Sequence, residues 1–588
     1  MRRSIKKLID IIKEIYGVLD KSDRRKSYFV LFDILLCAIL ETASVGIIVP
    51  FMTVISSPSK ITSNKQLSFI ISFFQLSQMQ LIFLLGGLIV LFYIIKNLFL
   101  MYSSYLQNKF RFVLQKKLSV KMLNAYMRKP YQFFVDNNSS VVVRGIGSDV
   151  GCVKDALGTL FELVTQLLTL VLIALFLAYT DFSMAIGLFA ISLVCMYLLV
   201  NVLRKRISAL GRQQREADKK VTKYTFEILE GVKEILALRK QNKFINMYDK
   251  AFGEKSQIEA KYQTYISFPT RVIETVFMTG IIGILFIRIS QGIEINDFVP
   301  QLAVFAVGAI KMLPAMASVS KAATAIIFQK PGVDEAYSNI SELKNEKQEH
   351  ELETLKYEKT SFESLELNDI HWHFNGMDRD VIDGVSLEIN RGESIAFIGA
   401  SGAGKTTLID IILGLFTPQS GQIKVNGIPI SECPSMWSNM LAYVQQSIFL
   451  TDDTLRNNVA FGIDENEIND ERIWEALEQA QLSDYVNGLD QKLDTIVGER
   501  GVKFSGGQRQ RVAIARALYI GSDVIIFDEA TAALDNETEK SLIESIEALH
   551  GEKTLIIVAH RLSTVKNCDR IYEIVGGKAV ERDKKSLF

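Results

Sequence analysis

The chain has 588 residues, and its 66 Lys plus Arg balance 66 Asp plus Glu, so no net charge draws it to nucleic acid. Apolar residues make up 48% and the mean hydropathy is +0.19, values that a chain with 22% charged residues reaches only by segregating its apolar residues. Five cysteines (Cys37, Cys152, Cys195, Cys433, Cys568) stand far apart with no CxxC pair, which indicates neither a zinc site nor a disulfide framework.

The chain opens on MRRSIKKLIDIIKEIYG, which lacks the uninterrupted apolar core and cleavage site of a signal peptide, so no processing is expected. In residues 1–26, Ile5, Leu8, Ile9, Ile12, Tyr16 and Leu19 share one helical face while Lys6, Lys7 and Lys13 fall elsewhere. That pattern predicts an amphipathic helix lying on the inner leaflet, with an ordinary soluble amphipathic helix as the alternative.

Residues 27–330 then carry the apolar segments. Residues 163–180 and 182–203 hold no charge over 18 and 22 positions and are parted only by Asp181. Each matches the ~20 residues needed to cross ~30 Å of hydrocarbon, so together they form a membrane hairpin. Residues 27–56, 78–105, 275–292 and 298–326 are less clean but complete six expected crossings. Lys plus Arg number 9, 9 and 16 in the loops on one side. The other side holds 2, 0 and, counting Arg288 at the end of the fifth span, 1. The positive-inside rule therefore places both termini in the cytoplasm. Helical spacing at Phe226, Leu229, Val232 and Ile235 predicts that the spans continue into the cytoplasm as long helices.

Charges inside apolar spans cost ~2.5–3.5 kcal/mol on insertion scales and usually face a cavity or a partner. They are Asp33 and Glu41 in span one, Lys96 in span two, Arg288 in span five and Lys311 in span six. Counting at 1.5 Å per residue puts Lys311 about 20 Å into its span, near the depth of Glu41. The two could be a structural ion pair, or Lys311 could line a cavity for an anionic headgroup.

Residues 331–360 open on Pro331-Gly332 and are 40% charged, the composition of a solvated, partly helical linker. A soluble domain of residues 361–588 follows. In it the strand Ser394-Ile-Ala-Phe-Ile398 runs into Gly399-Ala400-Ser401-Gly402-Ala403-Gly404-Lys405-Thr406-Thr407 and then into the helical run LIDIILGLF. This is a phosphate-binding loop in the strand–loop–helix context that confirms it. The glycines let backbone N–H groups converge on phosphate oxygens, Lys405 reaches the β- and γ-phosphates, and the Thr406 hydroxyl is placed to ligate Mg²⁺. A second buried strand, Val524-Ile-Ile-Phe527, ends in Asp528-Glu529. Its carboxylates suit Mg²⁺ (Asp528) and polarisation of an attacking water (Glu529).

Phe504-Ser505-Gly506-Gly507-Gln508-Arg509-Gln510-Arg511 resembles the signature of ATP-binding cassette (ABC) proteins, and Ser505 stands 23 residues before Asp528, as in that family. Gln446 in Tyr-Val-Gln-Gln, Thr495-Ile-Val-Gly-Glu-Arg-Gly501, Ala533-Leu534-Asp535 and Ala559-His560-Arg561 complete its set of motifs in order. With six spans, the chain is similar to the exporter-type half-transporters. The resemblance implies a helical membrane domain fused to an α/β P-loop ATPase with a RecA-like core and a helical subdomain. It also implies that Phe374 stacks on adenine where most members have Tyr, that Gln446 senses the γ-phosphate, and that His560 contacts it. Ser505, Gly506, Gly507 and Gln508 would cap the nucleotide of the opposite subunit, with Asp535 in the loop beside it. Because Glu529 and His560 are both present, a homodimer with two competent sites is expected. Phe504 for Leu and Ala533 for Ser depart from the family pattern without removing a phosphate ligand. His371 and His373, two apart on the strand leading to Phe374, read as partly exposed strand residues more readily than as a metal pair.

Glu41-Thr-Ala-Ser-Val-Gly-Ile-Ile-Val-Pro50-Phe51, Asn137-Asn138-Ser139-Ser140 and Lys311-Met312-Leu313-Pro314 look like bacterial flippases for lipid-linked oligosaccharides. That resemblance implies glycolipid movement from the inner to the outer leaflet of the bacterial cytoplasmic membrane. General lipid or multidrug export is the alternative.

Overall fold

The computed structural model describes residues 2–47, 51, 78–180, 182–290, 295–350, 360–377, 379–529, 540, 543–544, 546–559 and 561–587. The chain divides into two units, 1–129 with 136–348, and 130–135 with 349–588.

The first unit is helical. After α1 (Arg2–Val18) come α2 (Lys21–Gly46) and α3 (Gln78–Tyr126). The short α4 (Tyr131–Asp136) starts inside the stretch assigned to the other unit and precedes α5 (Val150–Thr180), α6 (Phe182–Glu230), α7 (Gln241–Ser290) and α8 (Ile295–His350). Among the described residues, four helical stretches are long and apolar enough to cross a membrane: Lys21–Gly46, Ile82–Tyr126, Ser139–Tyr179 and Ile310–Ser341. The helix α6 begins on the second uncharged run read from the sequence.

Close helix approach is set by glycine. A Cβ on Gly211 of α6 would sit 2.4 Å from the Phe328 carbonyl oxygen of α8, and one on Gly332 would sit 2.6 Å from Cys152 Sγ. Nearby, Tyr262 of α7 stacks on Phe328 with ring centroids 3.8 Å apart. Pro331 does not end α8, and its carbonyl accepts a hydrogen bond from Arg215 at 2.5 Å.

The face that α1 buries is Ile11, Ile15, Val18 and Leu19, while Ile12 is 41% exposed. Of the face read from the sequence, Leu19 is buried and Tyr16 half-buried, whereas Ile12 gives way to Ile11, Ile15 and Val18. The reason is a neighbour within the protein: Gly17 lies against Tyr337 of α8, and Glu14 pairs with Lys330 at 3.5 Å.

In the second unit, β3 (Ser394–Ile398), β7 (Val524–Asp528) and β8 (Thr554–Val558) are almost wholly buried, as continuous apolar runs in a parallel sheet must be. With β6 (Leu441–Val444), β9 (Arg570–Val575) and β10 (Lys578–Arg582) they form six strands in the order β10-β9-β3-β8-β7-β6, parallel except at the β9–β10 hairpin. A separate antiparallel sheet, β2-β1-β4-β5, comprises β1 (Ser364–Trp372), β2 (Ile382–Asn390), β4 (Ser420–Val425) and β5 (Ile428–Pro429). One apolar core joins residues of the two sheets, including Leu365, Ile389, Phe397 and Ile526. Another packs Val444, Phe527 and Ile557 with the helical residues Leu455, Ile473, Leu477 and Val512.

Filling the α6–α8 contact should destabilise the first unit. Gly211→Ala adds a methyl where a backbone oxygen cannot yield, and overpacking costs typically ~1–3 kcal/mol. A lower melting temperature of the detergent-solubilised protein is expected. Gly253→Ala, which meets no atom within 4 Å, should leave it unchanged or slightly raised.

Candidate active site and intramembrane charge cluster

Three neighbouring strands aim their carboxyl ends at one edge of the parallel sheet. From β3 the chain enters the 399–407 loop and α9 (Lys405–Ile412). Gly399, Gly402 and Gly404 have φ of +145, +81 and +101°, and a Cβ at Gly399 would lie 2.7 Å from the Ile574 carbonyl oxygen. No other residue type permits this curl. Lys405 is 4% exposed, and its Nζ donates to the carbonyls of Gly399 at 2.9 Å and Ala400 at 3.1 Å. Its charge is thereby held inside the loop, with Thr406 and Thr407 in the first turn of α9.

Asp528 closes β7 at 5% exposure and accepts from the Tyr443 hydroxyl at 3.1 Å. Burial and the charge of Asp528 push Asp410 of α9 up to about 6. Burial, then the same carboxylates, raises Tyr443 well above the usual phenol range. The pocket is therefore electronegative at its base, a donor set that suits a hard divalent cation with Asp528 and Thr406 as oxygen ligands. Glu529 takes a left-handed φ of +48° and hydrogen-bonds through its N–H to the Val558 carbonyl. That turn swings its side chain to Gln446, whose Nε2 donates to Glu529 Oε2 at 2.7 Å. Two residues singled out 83 positions apart are thus in direct contact.

Phe374 sits at the end of β1 in an aromatic group. Its ring stands edge-on to Trp372 at 4.5 Å and to Phe416 at 6.3 Å, and Phe416 in turn meets Tyr131 of α4 at 5.5 Å. Ser505 caps α10 (Gly506–Ile520) in a capping box with Gln508. The space beside Gly506 is open, with nothing within 4 Å of a Cβ there. Phe504 is 4% exposed against Tyr485, so its departure from the family's Leu is absorbed by packing. His560 and Asp535 lie outside the described residues, as does the side chain of Arg288.

In the first unit, the sequence left open whether Lys311 pairs with Glu41 or lines a cavity; the structure shows the pair and adds a third member. Glu41 of α2 meets Lys311 of α8 at 3.0 Å and Lys96 of α3 at 3.5 Å. Lys96 is 2% exposed and lies 4.7 Å above the Tyr93 ring. One carboxylate therefore holds two ammonium groups, and the cluster keeps one positive charge. Asp33 accepts from the Ser103 hydroxyl, which also receives Cys37 Sγ at 3.1 Å and Gln107 Nε2 at 3.1 Å. The sequence carried no signal for which of α2's acids takes Lys96, because partners in a membrane helix are chosen by rotation and tilt.

Comparison with known proteins agrees with this geometry. The family described as "ABC transporter" matches residues 382–532, and "ABC transporter transmembrane region" matches residues 29–307. The ATP-dependent lipid A-core flippase of Francisella tularensis subsp. tularensis is 31% identical over 469 residues, covering 78% of this chain and 75% of its own. The protein of the same name from Pseudoalteromonas translucida is 28% identical over 493 residues, 83% of each chain. The one from Vibrio cholerae is 27% identical over 471 residues, 79% of each. A solved bacterial Atm1-family ABC exporter with ATP bound shares the fold, with a TM-score of 0.75, 19% identity and coverage of 97% of this chain and 96% of that one.

Proposed function

Since the chain belongs to the ABC exporters, multi-pass membrane proteins whose ATPase drives transport, we propose that its cargo is a lipid-linked oligosaccharide or a related amphipathic glycolipid. It would be moved from the inner to the outer leaflet of the bacterial cytoplasmic membrane. The observation that carries this reading is the Glu41–Lys96–Lys311 cluster. A buried ion pair neutralises itself, whereas two lysines on one carboxylate leave a cation in a low-dielectric path, where an anionic headgroup is the natural counterion. The names of the curated relatives give a lipid cargo, which favours a lipid over a hydrophilic solute.

In the ATPase half, the 399–407 loop would cradle the phosphates of ATP and Phe374 would stack on adenine. Thr406, Gln446 and Asp528 would hold Mg²⁺, which would supply positive charge to offset the negative charge of the phosphates. Glu529 would take the proton of the attacking water, with Gln446 holding the carboxylate until nucleotide arrives, and His560 would position the γ-phosphate. Ser505, Gly506, Gly507 and Gln508, with Asp535 beside them, would complete the site of the opposite subunit. The half-transporter fold implies dimerisation, and a homodimer owns two such sites.

Glu529→Gln should keep ATP binding and lower hydrolysis by ~10²–10⁴-fold, the usual contribution of a general base. Single-turnover hydrolysis beside nucleotide binding measures both, and near-normal turnover would remove Glu529 from that role. Lys405→Ala should instead weaken nucleotide binding itself.

Lys311→Met tests the cargo. It leaves Glu41 paired with Lys96, so no buried charge is orphaned. Pairing Lys311→Met with Glu41→Leu, by contrast, would strand Lys96. In proteoliposomes, Lys311→Met should abolish movement of a polyprenyl-pyrophosphate glycan and its stimulation of ATPase, while basal hydrolysis persists. Wild-type flipping in that variant, or stimulation by hydrophobic drugs in place of the glycan, would defeat the glycolipid reading.

A further inference from the structure

We propose that His371, Asp380 and Asp383 form a binding site for a divalent transition ion of the Zn²⁺ kind, on the face of the second unit that carries Phe374. Strand register builds it. His371 on β1 stands directly opposite Asp383 on β2, and Asp380 lies where the chain returns from the 373–380 turn. That turn is closed by the Val381 N–H donating to the Trp372 carbonyl at 2.8 Å. The backbone of Asp383 is fixed in addition by its N–H donating to the Gly577 carbonyl at 2.8 Å.

His371 Nδ1 lies 3.3 Å from Asp380 Oδ2 and 3.2 Å from Asp383 Oδ1, and donor atoms of the three residues all fall within 4.8 Å of one another. A tetrahedral Zn²⁺ keeps nitrogen and oxygen donors at about 2.0–2.1 Å, so its donors stand about 3.3–3.4 Å apart. The two contacts to Nδ1 have the length of such an edge.

The surroundings of the three donors are those a metal needs. The other ring nitrogen, Nε2, is 3.3 Å from Asp369 Oδ1. Asp369 sits in a β-bulge of β1, with a register shift between Leu367 and Ile370 that aims it there. With Nε2–H donated to that carboxylate, a cation that displaces the Nδ1 proton finds the ring's lone pair on Nδ1. Three lone-pair atoms then converge on one point, and one divalent cation satisfies all of them. A carboxylate behind the imidazole of a metal ligand is the usual outer-shell partner, because it fixes the tautomer and raises basicity. On the far side, His373 Nδ1 lies 3.0 Å from Asp380 Oδ1, which orients the opposite oxygen toward His371. One imidazole with carboxylates favours Zn²⁺ and its neighbours over Mg²⁺ or Ca²⁺. His371, Asp380 and Asp383 are 28, 34 and 44% exposed, so an ion reaches them from solvent and water can fill the fourth position. Such an ion would tie β1 and β2 together at the base of the turn holding Phe374. This site is independent of the cargo proposed above and of the Mg²⁺ ligands Thr406 and Asp528.

The test is titration of tag-free, full-length protein in detergent with Co²⁺ and then Zn²⁺, in excess Mg²⁺ and without nucleotide. One equivalent per chain with the absorption of tetrahedral Co²⁺, displaced by Zn²⁺, is expected. It should vanish in His371→Gln and, separately, in Asp383→Asn, weaken by about 10–100-fold in Asp369→Asn, and persist in His550→Gln, which alters a different His–Asp pair. Unchanged Mg²⁺-dependent ATPase in these variants shows that they fold. Absence of a saturable tetrahedral Co²⁺ signal overturns the proposal and leaves a hydrogen-bonded His–Asp cluster only. Retention of the signal in either His371→Gln or Asp383→Asn overturns it as well.

Discussion

The parallel register of β3, β8 and β7 is the constraint on which the ATPase half depends. Phe397 pairs with Val558 and Asp528 pairs with that same Val558 from the other side. Neighbouring strands lie ~4.8 Å apart, so the phosphate loop and the Asp528–Glu529 corner leave the sheet ~10 Å from each other with only β8 between. That gap is the scale of a triphosphate and its metal. Burial on both faces keeps the three strands from sliding, since a one-residue slip would turn every apolar side chain over. The positive φ of Glu529 is tolerable for the same reason: its N–H extends the ladder to Val558, and the sheet over-determines the turn.

The membrane half obeys a looser rule. Lipid-facing positions need only be apolar, and Phe83, Ile94, Leu98 and Met101 on α3 are all more than half exposed. Such surfaces carry little pattern, so the few charges that hydrocarbon would otherwise reject stand out. Glu41 of α2 is the pivot, because α3 and α8 each send one lysine to it. The cost of any of these groups alone makes the three-helix contact specific as well as charged. Gly211 performs the matching task elsewhere in the unit, where a missing side chain lets α6 and α8 touch through a backbone oxygen.

Legibility in the sequence followed chemical stringency. The 399–407 loop and the Asp528–Glu529 corner were readable from their strand context and residue spacing, and the 504–511 motif by its resemblance to the ABC signature. The helical membrane unit and the α/β unit were readable from uncharged runs and buried strands, while Gln446 was reached by resemblance and proved to touch Glu529. What was missed depends on side chains meeting from distant segments. Asp410 and Tyr443 crowd Asp528 from α9 and β6, and no spacing rule connects those positions. Ile11, Ile15 and Val18 are buried where Ile12 was expected, and α8 meets α1 at Gly17 and Glu14, a neighbour that helical periodicity cannot see. Lys96 failed to suggest its own partner for the same reason. His371 and His373 were seen, but Asp383 becomes their neighbour only through the β1–β2 register.

The second unit also holds a surface that makes little sense for one chain alone. Ser505 and Gln508 satisfy each other at the start of α10, so the helix does not need a ligand for its cap. The 15-residue helix nevertheless presents its positive end next to Gly506, where no side chain intrudes within 4 Å. A glycine there gives up helix propensity, about 1 kcal/mol against Ala, and gains nothing in packing. Buried Gly507 and Phe504 anchor the turn from below, which keeps the open face rigid. Under the function proposed above, this open face is the surface that would meet a nucleotide held by another subunit. The half-transporter fold implies dimerisation, and such a role for α10 would make the second subunit part of the ATPase chemistry itself.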